Sequence, residues 1–291
     1  MFEKFKANIL FNKLLGRPNI DDAYKMVPET DSWYDTISKV HNSLAEIQKK
    51  DHEIIEIISH DNLKLKAVYY PNNSNVTVIC SHGYTSHAER EWAFPGLFYL
   101  SLGYNVLIPY HRAHGLSEGK YISFGVLEHL DMINWAKKVN EITPNGKIIF
   151  HGLSMGGEVV LDLANKEIEN VKCLIADAPS CVEYFFKGIA NHVFKTCGDK
   201  VAEYANIRFK KEFGFDVKDF ETSKIIANCK YPILLSAGSK ENKEEFFDTI
   251  KEVNPSPTEI ILLPGCDHGN GMYKKTEMYQ NFIKEFLNKY L

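Results

Sequence analysis

The residues with the clearest chemistry form a glycine-rich segment around one serine. Residues 150–157 read Phe-His-Gly-Leu-Ser-Met-Gly-Gly, in which Gly152, Ser154 and Gly156 satisfy the pattern G-x-S-x-G. An apolar run, KIIF, precedes this pattern and a helix-length segment, EVVLDLAN, follows it. In such a context the glycines allow a sharp turn from strand to helix, which raises the serine hydroxyl above the edge of a sheet. The pattern therefore predicts that Ser154 is a nucleophile.

A serine hydroxyl is a poor nucleophile unless a base accepts its proton. Of the eleven histidines, His268 is favoured because it follows the last apolar run, in the segment LLPGCDHGNG. Loops at the carboxyl ends of the strands hold the sites of open α/β sheets. An acid should orient the imidazole, and Glu241, which follows the run LLSAG, is the predicted acid. Asp177, at the end of the preceding apolar run, and Asp267, beside the histidine, are alternatives.

Attack on an ester or amide carbonyl creates an oxyanion, which needs hydrogen-bond donors that are already in place. One expected donor is the backbone N–H of Met155, the residue directly after the nucleophile. The second should come from the loop SHGYTS, which follows the apolar run VTVICS. The backbone N–H of Tyr84 in this loop is the predicted donor.

The elements that must position these residues follow an alternating pattern. Residues 52–70 alternate apolar and polar side chains around a turn signal, which predicts a β-hairpin. Six continuous apolar runs then predict buried parallel strands, at 76–81, 104–110, 147–152, 171–179, 231–238 and 258–265. Helix-length segments separate most of them, at 87–101, 124–140, 155–166, 242–253 and 273–289. The order predicts an α/β fold with a mostly parallel sheet of about eight strands, flanked by helices.

Two segments fall outside this alternation. Residues 1–51 have helical apolar spacing and predict an N-terminal helical arm packed on the body. A membrane-surface helix and a dimer contact are the alternatives for the arm, and the lid at residues 180–224 is the other candidate for a dimer contact. Residues 180–224 separate two predicted strands and favour a helical lid, since so long an insertion is usually functional. Its aromatic residues either line an apolar pocket or pack the lid on the body, and they are Tyr184, Phe185, Phe186 and Phe194.

Composition excludes several classes of protein. With 291 residues, 44% hydrophobic and 25% charged, the chain is an ordinary globular protein rather than a disordered one. A net charge of −4 provides no basic field for nucleic acid. Six cysteines without Cys-x-x-Cys spacing, no run of about 18 apolar residues and no secretory leader predict a cytoplasmic protein without a transmembrane segment. His111 and His114 lack a third ligand of suggestive spacing, so we expect no metal. Nucleophilic attack by Ser154 with His268 as base requires no cofactor, so none is expected.

Taken together, the motifs resemble those of the α/β-hydrolase superfamily. The resemblance is closest to single-domain bacterial hydrolases with a serine-aminopeptidase-like or acyl-esterase-like core, and it covers about residues 52–291. It rests on the segments HGY (82–84), HRAHGLS (111–117), HGLSMGG (151–157) and PGCDH (264–268). It implies an α/β-hydrolase domain over 52–291 with the lid at 180–224, preceded by the arm at 1–51.

The chain departs from this family at the predicted acid. The family usually has Gly-x-x-Asp there, followed shortly by Val-Pro, whereas this chain has Gly238-Ser-Lys-Glu241 followed by Asn-Lys-Glu-Glu. The longer glutamate side chain makes Glu241 a less regular match than Ser154 or His268. Ala113 also stands in the fourth-strand motif where glycine is common.

The residues and the resemblance predict a serine hydrolase of carboxylic esters or related acyl compounds, acting on a small-molecule substrate through a Ser154–His268–Glu241 triad and an acyl-enzyme. The alternatives are an aminopeptidase or thioesterase with the same triad, and a non-catalytic binding protein on a hydrolase fold. An aminopeptidase should have an acidic cluster near the pocket, for which Glu183 and Glu203 are available. The serine at the nucleophile position disfavours dehalogenase chemistry, which needs aspartate there.

Overall fold

The computed structural model describes residues 2–19, 29–180 and 182–291, and the side chains of residues 182–186 and 218 also lie outside the described part. One eight-stranded sheet organises the chain. Its strands are β1 (Glu53–Ile58), β2 (Lys64–Tyr70), β3 (Val76–Ser81), β4 (Asn105–Pro109), β5 (Lys147–Leu153), β6 (Val171–Asp177), β7 (Ile233–Gly238) and β8 (Thr258–Leu263). The order across the sheet is β1-β2-β4-β3-β5-β6-β7-β8.

The strand directions confirm the predicted fold class. β2 pairs antiparallel with both β1 and β4, and the pairs from β4 through β8 are parallel. The side chains of β3, β4 and β7 are buried along their whole length. Burial on both faces explains why these strands appear in the sequence as continuous apolar runs rather than as alternating ones.

Helices cover both faces of the sheet. They are α1 (Phe2–Leu15), α2 (Ile37–Ile47), α3 (Ala88–Ser101), α4 (Glu128–Ile142), α5 (Met155–Leu161), α6 (Val182–Val193), α7 (Gly198–Phe213), α8 (Thr222–Ile226), α9 (Glu244–Val253), α10 (Gly271–Lys274) and α11 (Thr276–Tyr290). Two of them are shorter than predicted. The helix expected at 124–140 begins at Glu128, because Phe124 and Gly125 both have positive φ. The helix expected at 155–166 ends at Leu161.

The two helices of the N-terminal arm lie against different parts of the molecule. α1 packs on α7, and its Phe11 and Leu15 share an apolar cluster with Phe209 and Met155. α2 packs on α3 on one face of the sheet, where its Val40 and Ile47 belong to a second cluster. No helix in the described residues is both long and apolar enough to cross a bilayer.

Candidate active site

Ser154 occupies a strained turn between β5 and α5. Its φ of 58° and ψ of −118° lie outside the regions that residues other than glycine usually adopt. The flanking glycines make this turn possible because neighbouring backbone atoms leave no room for a side chain at either position. A Cβ atom on Gly152 would overlap the carbonyl oxygen of Gly156, and one on Gly156 would overlap the carbonyl oxygen of Ser81. The turn therefore requires glycine at both positions and holds the serine at the end of β5.

His268 lies between Ser154 and Glu241. Its Nε2 is 2.9 Å from Ser154 Oγ, and its Nδ1 is 2.6 Å from Glu241 Oε2. About half of the His268 side chain is exposed, whereas 8% of the Glu241 side chain is. The imidazole can therefore accept a proton from the serine on one side, while a sheltered carboxylate orients it from the other side.

Backbone contacts fix the position of Glu241. It ends a 3₁₀ turn, Ser239–Glu241, directly after β7. Its Oε1 accepts a hydrogen bond from the N–H of Gly238 at 2.9 Å, which leaves Oε2 for the imidazole. A Cβ atom on Gly238 would overlap the backbone of Cys266, so the loops after β7 and β8 lie in direct contact there.

The two alternative acids have other partners. Asp177 Oδ2 lies 3.0 Å from His151 Nε2, and the hydroxyls of Ser236 and Tyr279 also donate to this buried carboxylate. Asp267, although next to His268 in the chain, pairs with Lys240 Nζ at 3.2 Å. Of the three acids, Glu241 is the one brought to the imidazole beside Ser154.

The two predicted oxyanion donors belong to segments that adjoin Ser154. Met155 is the first residue of α5, where a backbone N–H has no partner within the helix. The loop after β3 approaches the serine closely, since a Cβ atom on Gly83 would lie 3.5 Å from Ser154 Cβ. The next residue, Tyr84, lines the same cavity as Ser154. Its side chain extends to the arm, where the hydroxyl donates to the carbonyl oxygen of Leu14 at 2.5 Å.

The sequence offered no signal for Glu91, which holds this loop. Glu91 is a partly buried residue in the first turn of α3, and its Oε1 accepts a hydrogen bond from the N–H of Gly83 at 2.8 Å. Burial is the main cause that raises the pKa of Glu91 to about 7, and hydrogen bonds from Ser86 and Gly83 oppose it. Glu89 is two residues away and bonds the hydroxyls of Tyr70 and Tyr110 instead, so only the fold distinguishes the two acids.

Buried histidines pack against one another in the loops after β3 and β4. The ring of His82 lies 4.3 Å from that of His111 and 4.6 Å from that of His114. Desolvation lowers the pKa of His111 to about 3 and that of His114 to about 4. Their described hydrogen bonds are to Ser81 Oγ and to a backbone carbonyl oxygen. In the described ranges, no group of three or more histidine, cysteine or acidic residues could hold a metal ion.

The loop after β4 adopts a conformation that favours glycine. Ala113 has a φ of 60°, in the left-handed region, which accounts for the glycine commonly found at this motif position. The preceding residue, Arg112, is buried and donates to both carboxylate oxygens of Asp131 at 2.7 Å and to Asp61 at 2.9 Å. This buried ion pair anchors the loop to α4.

A cavity of about 360 Å³ opens at Ser154 and His268. Its other walls come from the loops after β3, β5 and β8, from α3 and α10, and from the N-terminal arm. These residues are Trp33, Ile37, Val40, His41, Gly83, Tyr84, Thr85, Ser86, Glu91, Leu153, Gly269 and Tyr273. The contribution of the arm differs from the prediction that the lid covers the site.

Among the lid aromatics, Phe194 packs against the cluster formed by α1 and α7 rather than lining the cavity. The side chains of Tyr184, Phe185 and Phe186 lie outside the described residues. Their role stays a prediction.

Comparison with known proteins agrees with this architecture. Residues 76–194 match the family model of the alpha/beta hydrolase fold. The uncharacterized protein YqkD of Bacillus subtilis (strain 168) is 25% identical over 266 residues, which is 89% of this chain and 85% of that protein. The esterase Pf2001 of Pyrococcus furiosus is 28% identical, with a TM-score of 0.65 over 86% of this chain and 93% of the esterase. Est1E of Butyrivibrio proteoclasticus, solved with ferulic acid, shares the fold at 19% identity, with a TM-score of 0.63 over 81% of this chain and 98% of that one.

Proposed function

Since this chain is a member of the α/β-hydrolase superfamily, we propose that it is a serine hydrolase that cleaves carboxylic esters through an acyl-enzyme. The observation that carries this proposal is the hydrogen-bonded series from Ser154 Oγ through His268 to Glu241 Oε2 at the opening of a cavity. A solved relative at 28% identity, described as an esterase, supports the choice of ester.

The first step is attack by Ser154 Oγ on the ester carbonyl carbon. His268 Nε2 accepts the serine proton as the bond forms, and Glu241 stabilises the resulting imidazolium through Nδ1. His268 then gives this proton to the leaving alcohol oxygen, which departs and leaves an acyl-enzyme. Water, activated by the same imidazole, attacks the acyl carbonyl, and the proton returns to Ser154 as the carboxylic acid is released.

Charge on the carbonyl oxygen must be stabilised in both steps. In this proposal the backbone N–H groups of Met155 and Tyr84 donate to the oxyanion. The hydrogen bond from Gly83 to Glu91 supports the role of Tyr84, because it fixes the loop in which that donor lies. Removing a single donor of this kind costs about 2.7–4 kcal/mol of transition-state stabilisation in other hydrolases.

An aminopeptidase is a weaker candidate. Recognition of a free amino terminus requires uncommitted acidic groups in the pocket, because a buried ammonium needs an anionic partner. Of the two acids considered for this role, Glu203 is exposed on α7, and the side chain of Glu183 lies outside the described residues. Glu91 lines the cavity, but one of its carboxylate oxygens is already bonded to Gly83. Ester hydrolysis needs no such partner, so it fits the cavity better.

The proposed domain organisation assigns the chemistry to residues 52–291. The lid at 180–224 contributes to the same apolar cluster as Met155, through Phe209 of α7. In this proposal the lid packs behind the nucleophile helix, and the arm at 1–51 attaches to both the lid and the sheet.

Labelling with a fluorophosphonate probe tests the catalytic proposal. We expect the folded wild-type protein to be labelled at Ser154, and Ser154→Ala to lose the label. Ser86→Ala is the matched control, because Ser86 lines the same cavity and should not be the site of attachment. Mass spectrometry of the labelled peptide locates the adduct. A folded wild-type protein that stays unlabelled would favour the non-catalytic alternative.

A substrate panel distinguishes among acyl compounds. It contains 4-nitrophenyl esters of increasing acyl length, acyl thioesters and aminoacyl 4-nitroanilides, each assayed with Ser154→Ala as the blank. We expect kcat/KM to be highest for an ester. Anilide or thioester turnover that exceeds ester turnover would replace the ester proposal with the corresponding alternative.

A further inference from the structure

We propose that the N-terminal arm selects the substrate of this enzyme. The arm wall, defined as Trp33, Ile37, Val40 and His41, forms the side of the catalytic cavity that receives the apolar group of the ester. This inference rests on the proposed esterase function and adds a substrate class to it, namely uncharged esters whose apolar group is limited in size by Trp33 and Ile37.

The first observation is the position of the arm wall. All four of its residues line the same cavity of about 360 Å³ as Ser154 and His268. Trp33 and Ile37 are partly buried and Val40 is buried, so their side chains are available to a ligand from one side only. An apolar surface of this kind, beside a nucleophile, gains stabilisation when a substrate group displaces water from it.

The second observation is that the arm is held against the loop that carries His268. The side-chain amide of Asn270, which is fully buried, donates to the carbonyl oxygen of Ser32 at 3.1 Å. Lys39 Nζ donates to the carbonyl oxygen of Tyr273 at 2.8 Å. The two bonded arm residues precede and follow Trp33 in the chain. Both bonds therefore join the region around Trp33 to the segment that follows His268. The wall is therefore fixed relative to the catalytic imidazole.

The indole of Trp33 is packed at the junction of these two segments. Its ring lies 5.6 Å from that of Tyr273 in an edge-to-face arrangement, and a Cβ atom on Gly269 would lie 3.3 Å from Trp33 Cζ2. Gly269 also has a positive φ of 71°, so a larger residue there would be strained. The close approach leaves the indole little freedom to move, and a rigid aromatic wall discriminates between ligands by size.

The lining of the cavity determines the chemistry of the group that it can accept. Leu153 and Tyr273 add further apolar surface to the lining, and Tyr273 lies directly against Trp33 of the arm wall. Among the described residues of the lining, Glu91 is the single acidic one, and one of its oxygens is bonded to the loop after β3. A cavity of about 360 Å³ is at the small end of ligand pockets, which span roughly 300–1,000 Å³. These features fit a short or medium apolar group and exclude a long lipid chain held wholly within the cavity.

The described residues of the lid do not form a wall of the cavity. None of the described side chains between 187 and 224 lines the cavity. Val201, Ala205 and Phe209 of α7 are instead buried against α1 and the segment around Phe124. The arm is thus divided between two tasks, since α1 packs on the lid while the arm wall faces the site.

Two substitutions that act in opposite directions test the inference. The assay measures kcat/KM for a series of 4-nitrophenyl esters of increasing acyl length, and for a series of acetate esters of increasing alcohol size. Trp33→Ala enlarges the cavity, and we expect it to raise the ratio of kcat/KM for the largest over the smallest ester in one of the two series by about tenfold. Ile37→Phe narrows the cavity and should lower the same ratio. The series that responds identifies whether the acyl or the alcohol group faces the arm.

Tyr34→Ala is the matched control. Tyr34 is an aromatic residue next to Trp33, but it is exposed and lies outside the cavity lining. We expect this variant to keep the wild-type ratio in both series. If Trp33→Ala fails to fold, Ile37→Phe tests the inference by itself, because it is expected to lower the ratio of kcat/KM for the largest over the smallest ester.

Two failures are distinguishable. If every variant is labelled by the fluorophosphonate probe and hydrolyses esters, but neither ratio changes, the arm does not select the substrate while the esterase proposal stands. If the wild-type protein is neither labelled nor active on any ester, the proposed function itself is wrong. A ratio that changes equally in Tyr34→Ala would also overturn the inference, since it would indicate a general loosening of the arm.

Discussion

Two carboxylate–imidazole pairs in this protein have the same chemical groups and different surroundings. Glu241 lies 2.6 Å from His268, at the opening of the cavity, and Asp177 lies 3.0 Å from His151, inside the protein. The two acids follow neighbouring strands, since Asp177 ends β6 and Glu241 comes directly after β7. Chain position alone therefore does not separate them.

What differs is the partner of the second imidazole nitrogen. In His268 that nitrogen faces Ser154 Oγ, and half of the side chain is exposed. In His151 it faces the hydroxyl of Tyr99 at 2.8 Å, and the side chain is fully buried. A buried imidazole with all its hydrogen bonds satisfied stabilises the fold but cannot reach a substrate. In the proposed mechanism only the exposed pair can be catalytic, because only its imidazole lies beside a serine hydroxyl at the opening of a cavity.

The largest expected effect comes from removing the exposed imidazole. His268→Ala should lower kcat by about 10⁵- to 10⁶-fold, because loss of the base from a serine triad is nearly as damaging as loss of the whole triad. The free energy of unfolding should change by no more than about 0.5 kcal/mol, as for other exposed positions. Ester-hydrolysis kinetics and urea unfolding measure the two quantities. Activity within tenfold of the wild type would show that another residue serves as the base.

Removing the acid of the exposed pair should have the next largest effect. Glu241→Ala should lower kcat by about 10³- to 10⁴-fold, because the imidazole loses the group that orients it and stabilises its cation. Glu241→Asp is the matched variant, since it retains the charge on a shorter side chain and restores the aspartate usual in related hydrolases. We expect it to recover part of the lost rate. A loss of less than tenfold in Glu241→Ala would refute the role of this acid.

The buried pair should affect stability instead. Asp177→Ala leaves the polar groups of His151, Tyr279 and Ser236 without their buried acceptor, which should cost about 3–5 kcal/mol of unfolding free energy. The kcat of the folded fraction should fall by less than tenfold. Active-site titration with the fluorophosphonate measures the concentration of folded enzyme, to which the rate is then normalised.

Asp177→Asn is the milder variant if the alanine variant does not fold, because it retains an acceptor oxygen. A large loss of kcat in this variant, with little loss in Glu241→Ala, would move the catalytic acid from Glu241 to Asp177.

The smallest expected effect concerns Glu91, a carboxylate that bonds a backbone N–H rather than an imidazole. Its pKa is raised to about 7 in the folded protein from an ordinary value of 4.5, so the folded state binds its proton more tightly than the unfolded state does. The contribution of this group to stability is therefore present below pH 4.5 and is lost as the pH rises towards 7. Because the Glu91 side chain is partly exposed, we expect the resulting change in the free energy of unfolding to be less than about 2 kcal/mol.

Glu91→Gln cannot titrate and should lose less stability than the wild type between pH 4.5 and pH 7, as measured by urea unfolding at both values. Glu245→Gln, on the exposed face of α9, is the surface control and should follow the wild type. If the free energy of unfolding of Glu91→Gln falls with pH as steeply as that of the wild type, Glu91 does not titrate in this range.

Much of the fold could be predicted from the sequence because its signals are local. Each of the six apolar runs is a strand of the sheet, and residues 52–70 form the predicted hairpin. The limits of the helices were less predictable, since the start of α4 depends on positive φ at Phe124 and Gly125 in a turn packed against other elements. The residues Ser154, His268 and Glu241 were named in advance, because each follows a strand at the same edge of the sheet.

The sequence by itself determined the succession of strands along the chain and the glycine-flanked turn at Ser154, since apolar patterning and glycine spacing act over a few residues. Only the tertiary structure decided which acid meets His268, because Asp177, Glu241 and Asp267 are equivalent until the loops after β7 and β8 come into contact. It also decided that Trp33 and Ile37 face Ser154 and that Glu91 holds the loop after β3. The contacts of Glu241 with His268 and of the arm with the site join residues that are tens to more than a hundred positions apart, and no local pattern encodes such a distance.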